Sequence, residues 1–292
     1  MSSVKNLILS IILLSSFRAF SQNQDAVFMK WKLKPGEKIT YKTTMDEIDT
    51  GNHKDFSMDG MAKLMGDSTN SGEFKKILKQ LNKEAQNENM VTSLEEKRKG
   101  VVDIEMSVSE KEHNVNKDTS KADSGFQKFQ ALMNKMTNGV MLRGAIYENG
   151  GIESFYTKSE QKNLIALFFE LPGKAVKVAD SWALDLHFIS MDQSFICDTS
   201  YQKNNVTVTG IDKKDNETIV TLKYDIVEYV DGDFKSPFDG SVVKTSMKMT
   251  YQAIAGFSVE RGRWIAYDGI MSLSSTGIMS SQTTKKFSLI AE

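Results

Sequence analysis

Asp185 and His187 are the two residues of this chain whose types and spacing come nearest to chemistry. Two apart on an extended segment, they point to one face. A carboxylate and an imidazole so placed can begin a metal site or an acid–base pair. Nothing nearby supplies a third member, and the other two histidines, His53 and His113, lie far off in polar stretches. The polar face of a strand is therefore the better reading. The single cysteine, Cys197, sits between Ile196 and Asp198 with no histidine near it. It reads as a small buried apolar residue rather than a nucleophile, and one thiol cannot close an intramolecular disulfide. Residues 46–60 (DEIDTGNHKDFSMDG) hold several carboxylates without the alternate spacing and glycine of an EF-hand loop. H-E-x-x-H, C-x-x-C, G-x-S-x-G, a phosphate-binding glycine loop and G-x-G-x-x-G are all missing from the sequence. A carboxylate pair of the glycosidase kind needs only proximity in space, and nothing selects one. The sequence thus names no catalytic residue, no cofactor-binding residue and no metal ligand, implies no cofactor, and leans away from an enzyme; the ligand-binding residues stay unknown.

The elements that would position such residues are mostly strands. Residues 26–33 (AVFMKWKL) alternate apolar and polar, Pro35-Gly36 makes a turn, and residues 38–48 alternate again, which predicts a hairpin with one wet face. Residues 49–71 read as a long loop. Residues 73–86 place Phe74, Ile77, Leu78, Leu81 and Ala85 at helical spacing. Residues 101–108 return to strand. Ser124 and Gln127 form a capping box ahead of a stripe of Phe126, Phe129, Leu132, Met133 and Met136. Asn149-Gly150 predicts a tight hairpin turn between strands at 139–148 and 151–156. A second capping box, Thr157 and Glu160, opens a third helix. Its apolar residues, Leu164 to Leu171, spread wider than one stripe, so much of its circumference should be covered. Pro172 stops it and Gly173 permits a reversal.

Beyond that corner nearly everything reads as β: strands at 182–190, 195–211, 218–230, 242–256, 257–267, 270–276 and 285–290. Turns at 214–216 and 231–233 separate several of them. The fold class expected is α+β, mostly β: a long-stranded antiparallel meander curling into a sheet or open barrel, with about three amphipathic helices in the N-terminal half. The segments RGAIYENGGIES (143–154) and RGRWIAYDGIMS (261–272) align with small shifts, and both read as hairpins. Residues 22–292 are then one β-rich domain, open to a division into related halves, 22–172 and 173–292.

The first 21 residues carry Lys5, an apolar run to Phe17 and a small-x-small site at Ala19-Phe20-Ser21. That is the anatomy of a secretory signal peptide cleaved near Ser21, with the mature protein periplasmic or extracellular. No cysteine follows the run for a lipid anchor, and no later apolar stretch is long enough for a transmembrane segment. The formal net charge is −1. Loss of Lys5 and Arg18 makes it more acidic, which disfavours nucleic acid as a partner. The three prolines leave no room for Pro-rich linkers.

A helix followed by LPGKAVKVADSW and a long-stranded meander resembles an uncharacterised family of exported bacterial β-rich proteins, in which many members have Gly in place of Ala179. The resemblance implies export and a β-rich fold and supplies no catalytic residue. The function it leaves open is non-enzymatic binding of an apolar ligand in a sheet/helix cavity, for which the 16 methionines offer pliable lining. The alternatives are a structural or interaction protein of the cell envelope and a carboxylate hydrolase. The expected partner is an apolar small molecule or an envelope protein.

Overall fold

The computed structural model describes residues 26–48, 54–57, 90–108, 140–155, 159–189, 194–235, 240–277 and 280–292. The short strands β1 (Val27–Phe28) and β8 (Ala175–Val176) pair only with each other. The others are β2 (Lys38–Glu47), β3 (Lys54–Ser57), β4 (Met90–Arg98), β5 (Val101–Val108), β6 (Val140–Tyr147), β7 (Ile152–Phe155), β9 (Ser181–Trp182), β10 (Phe195–Lys214), β11 (Glu217–Lys235), β12 (Val242–Ser258), β13 (Arg263–Thr276) and β14 (Ser280–Ala291). These form one 12-stranded antiparallel sheet in the order β7-β6-β5-β4-β2-β14-β13-β12-β11-β10-β9, with β3 also beside β14. The sheet is open. The chain's last strand is its seam: β14 joins the N-terminal strands through β2 to the C-terminal strands through β13.

Burial alternates residue by residue along β11 from Thr218 to Gly232, which marks a sheet with one face turned to the core. Against that inner face lies α1 (Ser159–Phe169). Ile165, Ala166, Leu167, Phe168 and Phe169 are all buried, so the C-terminal half of the helix is covered all round, as its wide apolar surface predicts. Pro172 follows, Gly173 takes a φ of +64°, and the chain reverses into β8 and β9. The stretch LPGKAVKVADSW is a corner that ties the helix to the N-terminal segment through β1 and to the sheet edge through β10.

Several expectations are corrected. Among the described residues there is one helix, not about three; the stripes at 73–86 and 124–136 lie outside them. Residues 26–33 keep their alternation, with Met29 and Trp31 buried, yet they form no hairpin with β2. β1 instead reaches across to β8, because Trp31 must enter the core beneath the helix. Residues 231–233 are not a turn. They sit within β11, where a Cβ on Gly232 would come within 2.2 Å of the Ile196 carbonyl oxygen, so this glycine serves a close strand approach. By contrast 214–216 is a turn, with Asp215 and Asn216 at φ 50° and 64°. RGRWIAYDGIMS is not a hairpin either: Asp268-Gly269 falls inside β13, and the real turn lies ahead of it. RGAIYENGGIES does form a hairpin, β6–β7. Residues 183–189 form an irregular strap, not a strand, and β3 interrupts the expected 49–71 loop. The strand β4 escaped sequence reading, although Met90, Thr92 and Leu94 alternate into the core.

Ala179 has a φ of +72°, a left-handed conformation that costs an L-residue with a Cβ roughly 1–2 kcal/mol. Ala179→Gly should therefore stabilise the fold by up to about 1 kcal/mol after the entropy of the freer unfolded glycine is subtracted. Urea unfolding of the two proteins measures the difference; a loss of stability in the glycine variant contradicts it.

Candidate functional site

The inner face of the sheet divides into two regions, and the boundary is set by length. β10 and β11, at 20 and 19 residues, extend about 65 Å at strand rise. α1, at 11 residues, covers only about 16 Å. Under the helix the face is packed with aromatic rings. Trp31 meets Phe257 and Trp264 edge-on at 5.5 and 5.8 Å, and Phe168 meets Tyr267 at 5.4 Å. The end of α1 is buried with its terminal carbonyls, and three aromatic donors satisfy them. Tyr267 Oη donates to the Leu167 carbonyl at 3.0 Å, Trp264 Nε1 to Phe168 at 2.7 Å and Trp31 Nε1 to Phe169 at 2.9 Å. Tyr251 Oη donates in turn to Tyr267 Oη at 3.0 Å. Burial pushes the phenols of Tyr224, Tyr251 and Tyr267 up from their ordinary range, so all three stay protonated as donors. This region is a filled core.

Next to it the strap, residues 183–189, crosses β10 and β11 on side-chain hydrogen bonds. Leu184 N–H donates to Asn204 Oδ1 at 3.1 Å, and Asn204 Nδ2 returns a bond to the Leu184 carbonyl. Gln202 Nε2 donates to the Leu186 carbonyl at 3.1 Å. The buried carboxylate of Glu228 accepts from Phe188 N–H at 2.7 Å and Ile189 N–H at 3.3 Å. From the helix side, Asn163 exchanges two bonds with the backbone of His187, at 2.6 and 3.1 Å. The strap is thus bolted to both helix and sheet.

Past the strap the inner face carries an apolar patch with a polar border: across β14 the register sets Lys285 beside Met271 and Thr283 beside Leu273. The register sets Val230 opposite Met247, and Met249 between Glu228 and Leu273; Met271 faces Tyr251. Met249 is buried, Met247 and Met271 are half-buried, and Leu273 is 41% exposed. This Met/Leu surface is the candidate site. Among the 16 methionines, the sequence had no means to place Met247, Met249 and Met271 side by side. Met29 and Met106, by contrast, are core.

The sequence candidates fall elsewhere. Asp185 and His187 do share a side of the strap, His187 Nε2 standing 3.8 Å from Asp185 Oδ1, but the third group is Lys162, whose ammonium donates to Asp185. A cation stands where a metal would need another ligand. Cys197 is exposed, correcting the expectation of burial; its thiol donates to the Thr199 carbonyl at 3.4 Å. His53 and His113 lie outside the described residues, as does most of 46–60. On the outer face, a groove of about 410 Å³ is lined by Lys38, Glu95, Asp103, Glu105, Arg143 and Phe155 among others. Its acids are answered by cations: Glu105 by Arg143 at 2.7 Å, Glu95 by Lys97 at 3.6 Å and Asp103 by Arg98 at 3.8 Å. These are surface ion pairs, not carboxyls arranged to share a proton. Trp182 Nε1 is buried without a hydrogen-bond partner among the described residues. No protein-family model, curated protein or solved structure matches the chain.

Glu170, just past α1, is half-buried, and burial, reinforced by the negative charge of Asp185 and opposed by Lys162, lifts its carboxyl to about 7. An acid with a raised folded value is protonated in the native state while already ionised in the unfolded one. Stability therefore falls as pH rises from about 4.5 to about 7 and then levels off. Glu170→Gln should match the native protein at pH 4 and exceed it at pH 8 by roughly 1 kcal/mol, the full shift being discounted for partial solvation. Denaturant titrations at the two pH values check this; an equal offset at both refutes it.

Proposed function

We propose that this is an exported, non-enzymatic binding protein whose ligand is an apolar small molecule, taken up on the inner face of the sheet beyond the strap. One observation carries the reading: the long C-terminal strands outrun the helix that plugs them, and the length that no helix covers among the described residues carries the partly exposed Met247, Met271 and Leu273. Methionine side chains conform to irregular apolar shapes, and leucine in water at the rim gains free energy when an apolar ligand covers it. The aromatic core under the helix lends rigidity and takes no part in binding. The strap lies between the two regions and sets how deep a ligand can reach. The resemblance of LPGKAVKVADSW to exported β-rich bacterial proteins and the signal-peptide anatomy of residues 1–21 point to the periplasm or the extracellular space as the place of binding.

A second reading, an interaction protein of the cell envelope, is favoured by the edge of β10 from 195 to 205, beside which no strand lies among the described residues.

The test uses a neutral fluorescent probe, N-phenyl-1-naphthylamine, together with native mass spectrometry of the protein from its exported fraction. The native protein should bind the probe and carry a co-purifying apolar molecule. Leu273→Lys and Met271→Lys should each weaken probe binding by about tenfold or more, since each buries a charge against the ligand, with the melting temperature little changed. Probe binding that both variants leave intact, or an apo protein that binds no probe, removes the reading.

A further inference from the structure

β10, at 20 residues, is the longest described strand and stands at an edge. One side pairs with β11 along its 20 residues. On the other side only Val206 and Thr207 meet β9, and Val208 exchanges backbone hydrogen bonds with Ala179 and Asp180, both at 2.9 Å. From 195 to 205 no strand lies beside it among the described residues, and residues 196–203 are all exposed. A run of unmet N–H and C=O groups is a template for another strand, and proteins blunt such edges by shortness, charged side chains, bulges, proline or covering elements; β10 carries Asp198, Lys203 and a bulge, and its charges set which strand can pair with it. The opposite edge, β7, is blunted by shortness, with four residues. The β10 stretch has no proline and carries the strand formers Phe195, Ile196, Thr199 and Tyr201, with Ile196 60% and Tyr201 54% exposed.

We propose that a second copy of this chain pairs here, β10 antiparallel to β10, about a two-fold axis at Tyr201. The outward row of side chains supplies the register. Thr199, Tyr201 and Lys203 lie opposite Asp231, Tyr229 and Val227 of β11 and so share their face. The irregularity between Cys197 and Thr199 turns Asp198 to the same face, where Lys244 reaches both it and Asp231. A bulge sets two residues against one on the facing strand. With Tyr201 opposite Tyr201 of the second copy, Asp198 and Thr199 together oppose Lys203, and symmetry repeats the pair. The two tyrosines form a cross-strand aromatic contact on the axis. Lys203 already pairs with Asp225, so the charges alternate across the seam: Asp225, Lys203, then Asp198 and Lys244 of the second copy. Shifting the register by two residues sets Lys203 against Tyr201, and by four sets Lys203 against itself. Of these three registers, the one centred on Tyr201 sets Lys203 against an acid. The dimer continues the sheet across the two copies and leaves the inner face free.

The experiment is sedimentation analysis of the protein expressed from its full-length gene, in a Cys197→Ser background so that no disulfide can link copies. The expected result is a concentration-dependent dimer. Tyr201→Lys, which sets two ammonium groups against each other on the axis, and Asp198→Lys should each weaken it by about tenfold or more. Combining Asp198→Lys with Lys203→Asp should restore it. All three positions are solvent-facing, and unchanged melting temperatures establish that the variants fold. A monomer at every concentration up to about 0.2 mM, or a dimer that Tyr201→Lys leaves intact, overturns the proposal. A charge swap that fails to recover the dimer overturns the pairing of Asp198 with Lys203.

Discussion

Three carbonyl groups at the end of one helix hold this structure together. A helix leaves its last carbonyls without partners, and burying them among hydrocarbon costs about 1–3 kcal/mol each when nothing donates to them. Here the carbonyls of Leu167, Phe168 and Phe169 are deep in the core, and Tyr267, Trp264 and Trp31 donate to them. The donors come from the N-terminal segment and from β13, so residues 96 to 138 positions apart in the chain meet at one point. Each donor also contributes a large apolar ring to the packing around α1. The helix end can be buried because these aromatics cap it, and the aromatics can be buried because the carbonyls satisfy their N–H and O–H groups. Neither half of that arrangement is stable without the other.

The position of the plug explains the rest of the architecture. α1 is short and the C-terminal strands are long, so the helix fills one end of the inner face and leaves the remainder to other means. The strap closes part of that remainder with polar side chains rather than apolar bulk. Asn163, Asn204, Gln202 and Glu228 supply the hydrogen bonds that a neighbouring strand would have supplied. Beyond the strap the face carries Met247, Met249, Met271 and Leu273, bordered by Thr283 and Lys285. A close-packed aromatic core stands beside a partly exposed methionine surface.

The outer face works differently. Its charges are arranged in pairs and short rows, Arg143 with Glu105 and Lys244 among Asp198, Asp231 and Asp233, which keep a broad sheet surface hydrated. Such pairs add little stability each. Where a strand edge is left open they select what can pair with it, since an approaching strand must match both backbone register and charge sign.

Sequence alone determined the local alternation of the strands, the wide apolar surface of residues 164–171, the stop at Pro172 and the turns at Asn149-Gly150 and Lys214-Asp215-Asn216. These depend on residues within a few positions of one another, and periodicity reads them directly. It misread Asp231-Gly232-Asp233 as a turn, because a glycine required for the close approach of Ile196 looks the same in sequence as one required for reversal. It separated the ends of β12 and β13 in the wrong place for a similar reason. Tertiary structure decided which strand is the seam, that Trp31 and Trp264 cap a helix, that the Asp185–His187 pair is met by a lysine, and that Met247, Met249, Met271 and Leu273 stand together. Those facts come from pairing between strands distant in the chain, where register is set by the whole sheet and its core and no short window of sequence contains it.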